Sequence, residues 1–366
     1  FPERGASARE ALLVLQDGSF FSGRHFGSEK TVVGELVFNT SMTGYPEALT
    51  DPSYAGQVLT FAYPLQGNYG VNETDHESRK IHVQAVVCRE SSPFYSHASA
   101  KRTLDGWLTA HDVPGIEGVD TRAIVRKVRE RGVMPCAVAL RDADIPLEEQ
   151  TAALLKQIHS FAYSDLDFVP LVSPKTVERF TVKGAKKKVA FVDCGAKKSM
   201  LQELVGRKLD VTVFPYRVSA KEILKEQVDG IVFSNGPGDP ARMKETVEAA
   251  RALLGKKPVF GICLGHQVLA LALGAKTFKL KFGHRGSNHA VRNLETGRVF
   301  ITSQNHGFSV KDLPKNVRPL FEDCNDGTNE GLRHAELPVF SCQFHPEGSC
   351  GPKDSNYLFD EFVKLL

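Results

Sequence analysis

What most constrains this chain is an alternation in its second half. Four short β-rich runs, at 189–192, 211–214, 230–233 and 258–262, are each followed by a stretch of helical apolar spacing, at 198–209, 221–227, 244–254 and 267–273. Strands that alternate with helices pair in parallel through right-handed crossovers, because a tight hairpin cannot join parallel neighbours. The expected fold class is α/β, a doubly wound sheet with helices on both faces. Its ligands should bind at the carboxyl ends of the strands.

Those ends carry the residues with chemistry. Gly261-Ile262-Cys263-Leu264-Gly265 closes an apolar strand with a cysteine flanked at two-residue distance by glycines, and a helix follows at once. This is the cysteine form of a nucleophile elbow. The thiol sits at a helix N-terminus, whose partial positive charge favours thiolate, and the N–H of Leu264 is placed to bind an oxyanion. A lone cysteine in an apolar run is more often a small buried hydrophobe; the flanking glycines at a strand–helix junction reverse that preference. Cys88, Cys136, Cys194, Cys324, Cys342 and Cys350 lack the setting and read as structural. A thiolate nucleophile needs a base and a group to orient it. At 340–347 (FSCQFHPE) a strand is expected to end in His345, with Glu347 two residues on. His266, His284, His289 and His306 compete as bases but lack a carboxylate so placed. Directly after another strand, SNGPGDP at 234–240 defines a rigid turn, and the Gly236 N–H is the second candidate oxyanion donor. A phosphate loop is the weaker reading, since G-x-x-x-x-G-K-[ST] is absent. Cys342, His345 and Cys350 do not supply four ligands at zinc spacing, so no metal is expected.

The first half reads differently. Strands are expected at 11–16, 34–40, 57–62 and 81–88, and a helix at 101–110. Asp120 is placed to cap a helix that buries Ile124, Val125 and Val128 and stops at Gly132. Arg122, Arg126, Lys127, Arg129 and Arg131 lie on it; a solvated face is the simpler reading, an acidic partner surface the alternative. Pro, Gly and Lys between 172 and 188 mark a linker, so the domains are set at 1–175 and 189–366 with a linker at 176–188. A length of 366 residues suits two domains that each bury a core. Lys+Arg 46 against Asp+Glu 43 demands neither nucleic acid nor an acidic membrane as partner. No apolar run approaches the ~18 residues of a membrane span. Seven cysteines without paired spacing point to a reducing compartment, the cytoplasm, and not to a disulfide scaffold. The chain starts at Phe1, so it is trimmed, processed or cut from a longer polypeptide. Its first ten residues lack the order of a signal peptide, and a removed organelle-targeting segment is compatible with that start.

SNGPGDP at 234–240, PVFGICLGHQ at 258–267 and FHPE at 344–347 resemble the class I, or triad-type, glutamine amidotransferases in order and separation. The first half narrows the likeness. GELVFNTSMTGYPE at 34–47, LTDPSY at 49–54, YPLQGNYG at 63–70 and GVDTR at 118–122 look like the N-terminal domain of the small, glutamine-hydrolysing subunit of carbamoyl-phosphate synthetase. FGHRGSNH at 282–289 and TSQNHGF at 302–308 look like the same subunit. The departures are Ala290, where the family often has Pro, and the lack of a tail after Leu366.

The resemblance implies a swivelling β/β/α N-terminal domain ahead of the doubly wound one. It implies that Cys263, His345 and Glu347 form the triad, with Gly236 and Leu264 as oxyanion hole. Glutamine would contact Ser53, Gly236, Gly238, Leu264, Gln267, Asn305, Gly307 and Phe308, so Ser53 would reach the site from the first domain. Ammonia would pass through a tunnel to a large synthetase subunit or fused domain, for pyrimidine synthesis, arginine synthesis or both. ATP and Mg²⁺ would belong to that partner, and this chain would hold no cofactor. A silent scaffold of the synthetase and a free-standing hydrolase of γ-glutamyl compounds are the alternatives. The intact triad argues against the first and the long N-terminal domain against the second.

Overall fold

The computed structural model describes residues 9–366. Most of the segment read for a signal peptide therefore lies outside the described residues. The chain divides after Leu166 into two compact units.

In the first unit seven strands close into a barrel in the order Glu10–Leu15, Phe20–Gly27, Pro114–Glu117, Ala85–Val87, Gln57–Phe61, Val32–Asn39 and Met134–Leu140. Closure removes both edges of this sheet, so among the described residues no barrel strand is left with an unpaired row of amides. Of the stretch 81–88, only Ala85–Val87 is strand. The residues before it hydrogen-bond elsewhere, His82 to the Leu49 carbonyl and Gln84 to that of Gln57. The expected helix is Thr121–Arg131, with Asp120 Oδ1 accepting from the Ala123 N–H at 2.9 Å and Gly132 at φ 96° ending it. Ile124 and Val128 are buried, Val125 is half-buried, and Arg122, Arg126, Arg129 and Arg131 are exposed. Two of the family-like motifs pack on each other here. Tyr45 stacks on Tyr69 at 4.3 Å, and its hydroxyl donates to the Gly70 carbonyl.

The second unit is built on a ten-stranded sheet. Its parallel part runs Leu209–Pro215, Lys187–Asp193, Gly230–Phe233, Val259–Ile262 and Val339–Cys342. Alternate side chains point to opposite faces, which makes two cores. Ala190, Val192, Ile231 and Phe233 pack under the helices Lys244–Leu253 and Leu264–Leu273. Val189, Phe191, Val232 and Phe260 pack under Lys198–Gly206 and Tyr357–Leu365. The doubly wound expectation is met.

Two features differ from it. The stretch 176–188, expected as a linker, holds the edge strand Glu178–Phe180, which pairs antiparallel with Leu209–Pro215, and Lys187 and Lys188 open a central strand. Beyond Val339–Cys342 the sheet continues through four antiparallel strands, Asn329–His334, Val299–Lys311, Lys276–Asn293 and Val317–Asp323, which the sequence reading did not anticipate. Among the described residues no helix is long and apolar enough to cross a membrane, and all seven cysteines are free.

Candidate active site

Cys263 lies between the strand Val259–Ile262 and the helix Leu264–Leu273, with φ 55° and ψ −106°. A side chain other than glycine at positive φ costs roughly 1–3 kcal/mol and persists only where its surroundings enforce it. They do so here. The Cys263 N–H donates to the Cys342 carbonyl at 2.9 Å, and the Gly265 N–H to that of Ser234 at 2.9 Å. A Cβ on Gly265 would stand 2.1 Å from the Phe233 carbonyl oxygen, and one on Gly261 2.6 Å from the carbonyl of Gly265. Both glycines are therefore required for the turn to close. Leu264 occupies the first helical position, where an amide has no intrahelical acceptor.

The expected base follows the neighbouring parallel strand. Ile262 pairs with Cys342, so the two carboxyl ends lie side by side. The strand stops at Cys342, however, and does not run to His345 as expected. Instead His345 forms an isolated bridge with Ser303, donating its N–H to the Ser303 carbonyl at 2.8 Å. Its Nδ1 is 2.7 Å from Glu347 Oε1, and both side chains are buried. Because a carboxylate only accepts, Nδ1 carries the hydrogen and Nε2 is the atom left to act on the thiol. His345 Nε2 makes no hydrogen bond.

Charge behind the pair holds it in place. Lys197, also buried, donates from Nζ to Glu347 Oε1 at 2.9 Å and to the Ser349 carbonyl. Burial alone would raise the Glu347 carboxyl, but the Lys197 ammonium and the His345 imidazole outweigh it and hold it at about 2. Burial alone would lower the His345 imidazole, but Glu347 and the nearby Cys263 outweigh it and push it up to about 10. The sequence reading missed Lys197. The signal available was a lysine just past the end of an apolar strand, 189–192 (VAFV), at the sheet edge where ligands bind.

The other expected residues fall as follows. A Cβ on Gly236 would lie 2.2 Å from the Cys194 carbonyl oxygen, so the turn depends on glycine there, and Gly238 has φ 89°. Asn305, Gly307 and Phe308 lie on the strand Val299–Lys311, and the Cys263 thiol is 3.7 Å from the Asn305 carbonyl. Gln267 lies one helical turn from Cys263, and its amide donates to the Phe308 carbonyl at 2.9 Å and to Gln343 at 3.0 Å. Ser53 sits in the first unit, in the short helix Pro52–Tyr54 that Asp51 caps. Of the competing histidines, His266 is fully buried against Ser341, and that burial pushes it down to about 3. His284, His289 and His306 gather around Asp323 and Glu330 instead. Burial drives the Cys136, Cys194 and Cys342 thiols well above their ordinary range, which disfavours the thiolate that a nucleophile needs.

Fold and geometry together place the second unit among the class I glutamine amidotransferases, and the family model described as glutamine amidotransferase class-I matches residues 190–365. Residues 13–138 match the carbamoyl-phosphate synthase small chain, CPSase domain. The carbamoyl phosphate synthase small chain of Archaeoglobus fulgidus is 48% identical over 359 residues, covering 98% of this chain and 99% of that one. That of Clostridium perfringens is 47% identical, covering 97% and 99%, and that of Methanocaldococcus jannaschii 45% identical, covering 97% and 99%. The chain belongs to the carbamoyl phosphate synthase small chain family.

Proposed function

We propose that this chain is the glutaminase component of a glutamine-hydrolysing carbamoyl-phosphate synthase. The observation that carries the mechanism is the buried line from Lys197 through Glu347 to His345, whose ring neighbours the Cys263 thiol on the elbow. Cys263 Sγ attacks the side-chain amide carbon of glutamine, and its proton resides on His345 Nε2. The carbonyl oxygen takes the negative charge and is met by the N–H groups of Leu264 and Gly236. The C–N bond breaks as His345 returns the proton to nitrogen, and ammonia leaves. Water then gives up a proton to His345, attacks the γ-glutamyl thioester and releases glutamate. Glu347 keeps the imidazole in the required tautomer throughout, and Lys197 keeps Glu347 ionised.

Within the second unit, glutamine is held by Gly238, Gln267, Asn305, Gly307 and Phe308 in addition to the oxyanion donors. Asn305, Gly307 and Phe308 offer main-chain groups on the strand that also meets the thiol. Ammonia passes to a large synthetase subunit or domain, which binds ATP and Mg²⁺ and makes carbamoyl phosphate. Seven free thiols suit a reducing compartment such as the cytoplasm. The test is glutamate release by the purified chain and by Cys263→Ser, each with and without a large synthetase subunit. Slow hydrolysis that rises with the partner and vanishes in the variant is expected. Equal rates in both chains would remove Cys263 as nucleophile, and no activity in a confirmed complex would favour a scaffold.

A further inference from the structure

The hairpin of Lys276–Asn293 and Val299–Lys311 brings His284 opposite His306, and the strand Asn329–His334 sets Glu330 beside them. All three side chains are buried. Their outer atoms are already held. His284 Nε2 is 2.8 Å from Asp326 Oδ2, His306 Nδ1 donates to the Phe308 carbonyl at 2.7 Å, and Glu330 Oε2 accepts from Gln304 at 2.8 Å. Their inner atoms converge on each other instead. Glu330 Oε1 lies 3.4 Å from His284 Nδ1 and 3.7 Å from His306 Nε2. Neither Glu330 Oε1 nor His284 Nδ1 makes a hydrogen bond. His306 Nε2, a lone pair once Nδ1 carries the hydrogen, faces the Gln304 carbonyl oxygen at 2.9 Å. Turning the Gln304 amide over only moves the acceptor–acceptor contact to Glu330. With both imidazoles neutral, the network is one cation short.

We propose that His284 Nδ1, His306 Nε2 and Glu330 Oε1 bind a divalent transition metal of the zinc class, with Gln304 Oε1 or water as the fourth ligand. The distances suit a metal. Zinc holds nitrogen and oxygen at about 2.0–2.2 Å, which sets tetrahedral ligand–ligand edges of roughly 3.3–3.6 Å. The three ligand atoms lie within 4.8 Å of one another, with the two contacts to Glu330 close to that edge length. A proton shared with a carboxylate would draw the pair in, as Asp326 is drawn to the other nitrogen of the same ring. Asp326, Phe308 and Gln304 then play the part of the outer partners that orient metal ligands. Asp323 Oδ2, buried and without a hydrogen bond 4.0 Å from His284 Nδ1, adds negative charge at the rim. The ion would be structural. It ties three antiparallel strands behind Asn305 and Phe308, whose carbonyls meet Cys263 and Gln267. The expectation of no metal rested on Cys342, His345 and Cys350, and none of these takes part.

The test is to strip the purified full chain with a chelator and titrate it with Co²⁺ and then Zn²⁺. One equivalent of cobalt should bind with visible d–d absorption and be displaced by zinc. The melting temperature should rise by about 5 °C at a hundredfold excess of zinc over Kd. Glu330→Gln and His284→Asn should each lose the stoichiometric binding. X-ray absorption of the zinc-loaded wild type needs no variant to fold, and should show nitrogen and oxygen neighbours including imidazole. No stoichiometric binding of either metal to the wild type, a sulfur neighbour, or binding retained in both folded variants would overturn the proposal.

Discussion

At the scale of single residues the site is a problem of buried charge. Lys197 and Glu347 are both removed from water, and breaking such a pair leaves an uncompensated charge at a cost of about 3–5 kcal/mol. Lys197→Met should therefore lower stability by about 3 kcal/mol in urea unfolding. Because it unpins Glu347 and touches no reacting atom in the proposed mechanism, it should lower kcat more than it raises KM for glutamine. Glu347→Gln should cost roughly 10²–10⁴ in kcat, since the amide cannot enforce the tautomer. The pair also sets two pH limits. Glu347 is held at about 2, below its ordinary 4.5, so its contribution to stability is complete above 4.5 and is lost as the pH falls toward 2. His345 is held at about 10, above its ordinary 6.5, so its contribution is complete below 6.5 and is lost as the pH rises through 10. Urea midpoints measured against pH should show both losses in the wild type. Glu347→Gln should show a smaller acid loss, because the share of other lowered carboxylates such as Asp17 and Asp326 remains, and should move the alkaline one to lower pH. An unchanged acid limb would place the ionised carboxylate elsewhere.

At the scale of elements, glycine decides whether the elbow can form. Gly265→Ala puts a methyl 2.1 Å from the Phe233 carbonyl, backbone against which nothing flexible can give way. It should cost about 1–3 kcal/mol as overpacking and abolish glutaminase activity, because Cys263 moves with the turn. Gly206→Ala is the contrasting case. That residue ends the helix Lys198–Gly206 with nothing within 4 Å of a new Cβ, so it should gain about 0.5–1 kcal/mol and leave activity unchanged. Equal losses from both changes would mean that the helices respond to composition alone. The elements that were legible share a property: each carries its own stop signal. Thr121–Arg131 has its cap and its glycine, and the strand Val259–Ile262 has its elbow. The long hairpin was not legible. Lys276–Asn293 mixes buried and exposed residues without strict alternation, and register shifts between Lys279 and His284 and between Gly286 and His289 break the period that reveals a strand.

At the scale of the whole molecule, the two units carry different information. The triad motifs lie in the second unit and specify only an amidotransferase, while the first unit carries most of the motifs of the synthase small chain. The slow glutamine hydrolysis expected of the chain alone should therefore be accelerated by a large synthetase subunit and not by an unrelated amidotransferase's partner. Steady-state rates with the two partners check this, and equal stimulation would detach the first unit from partner choice.

The chain's own residues determined the alternation of strand and helix, the elbow around Cys263 and the pairing of His345 with Glu347, because each is a local pattern of period, glycine and short spacing. The tertiary structure decided what those patterns meet. Lys197 reaches Glu347 across 150 positions of sequence, Ser303 anchors His345, and His284, His306 and Glu330 converge from three strands. Contacts between residues so far apart leave no mark on local period, since they arise only when sheet order and register bring separate strands side by side.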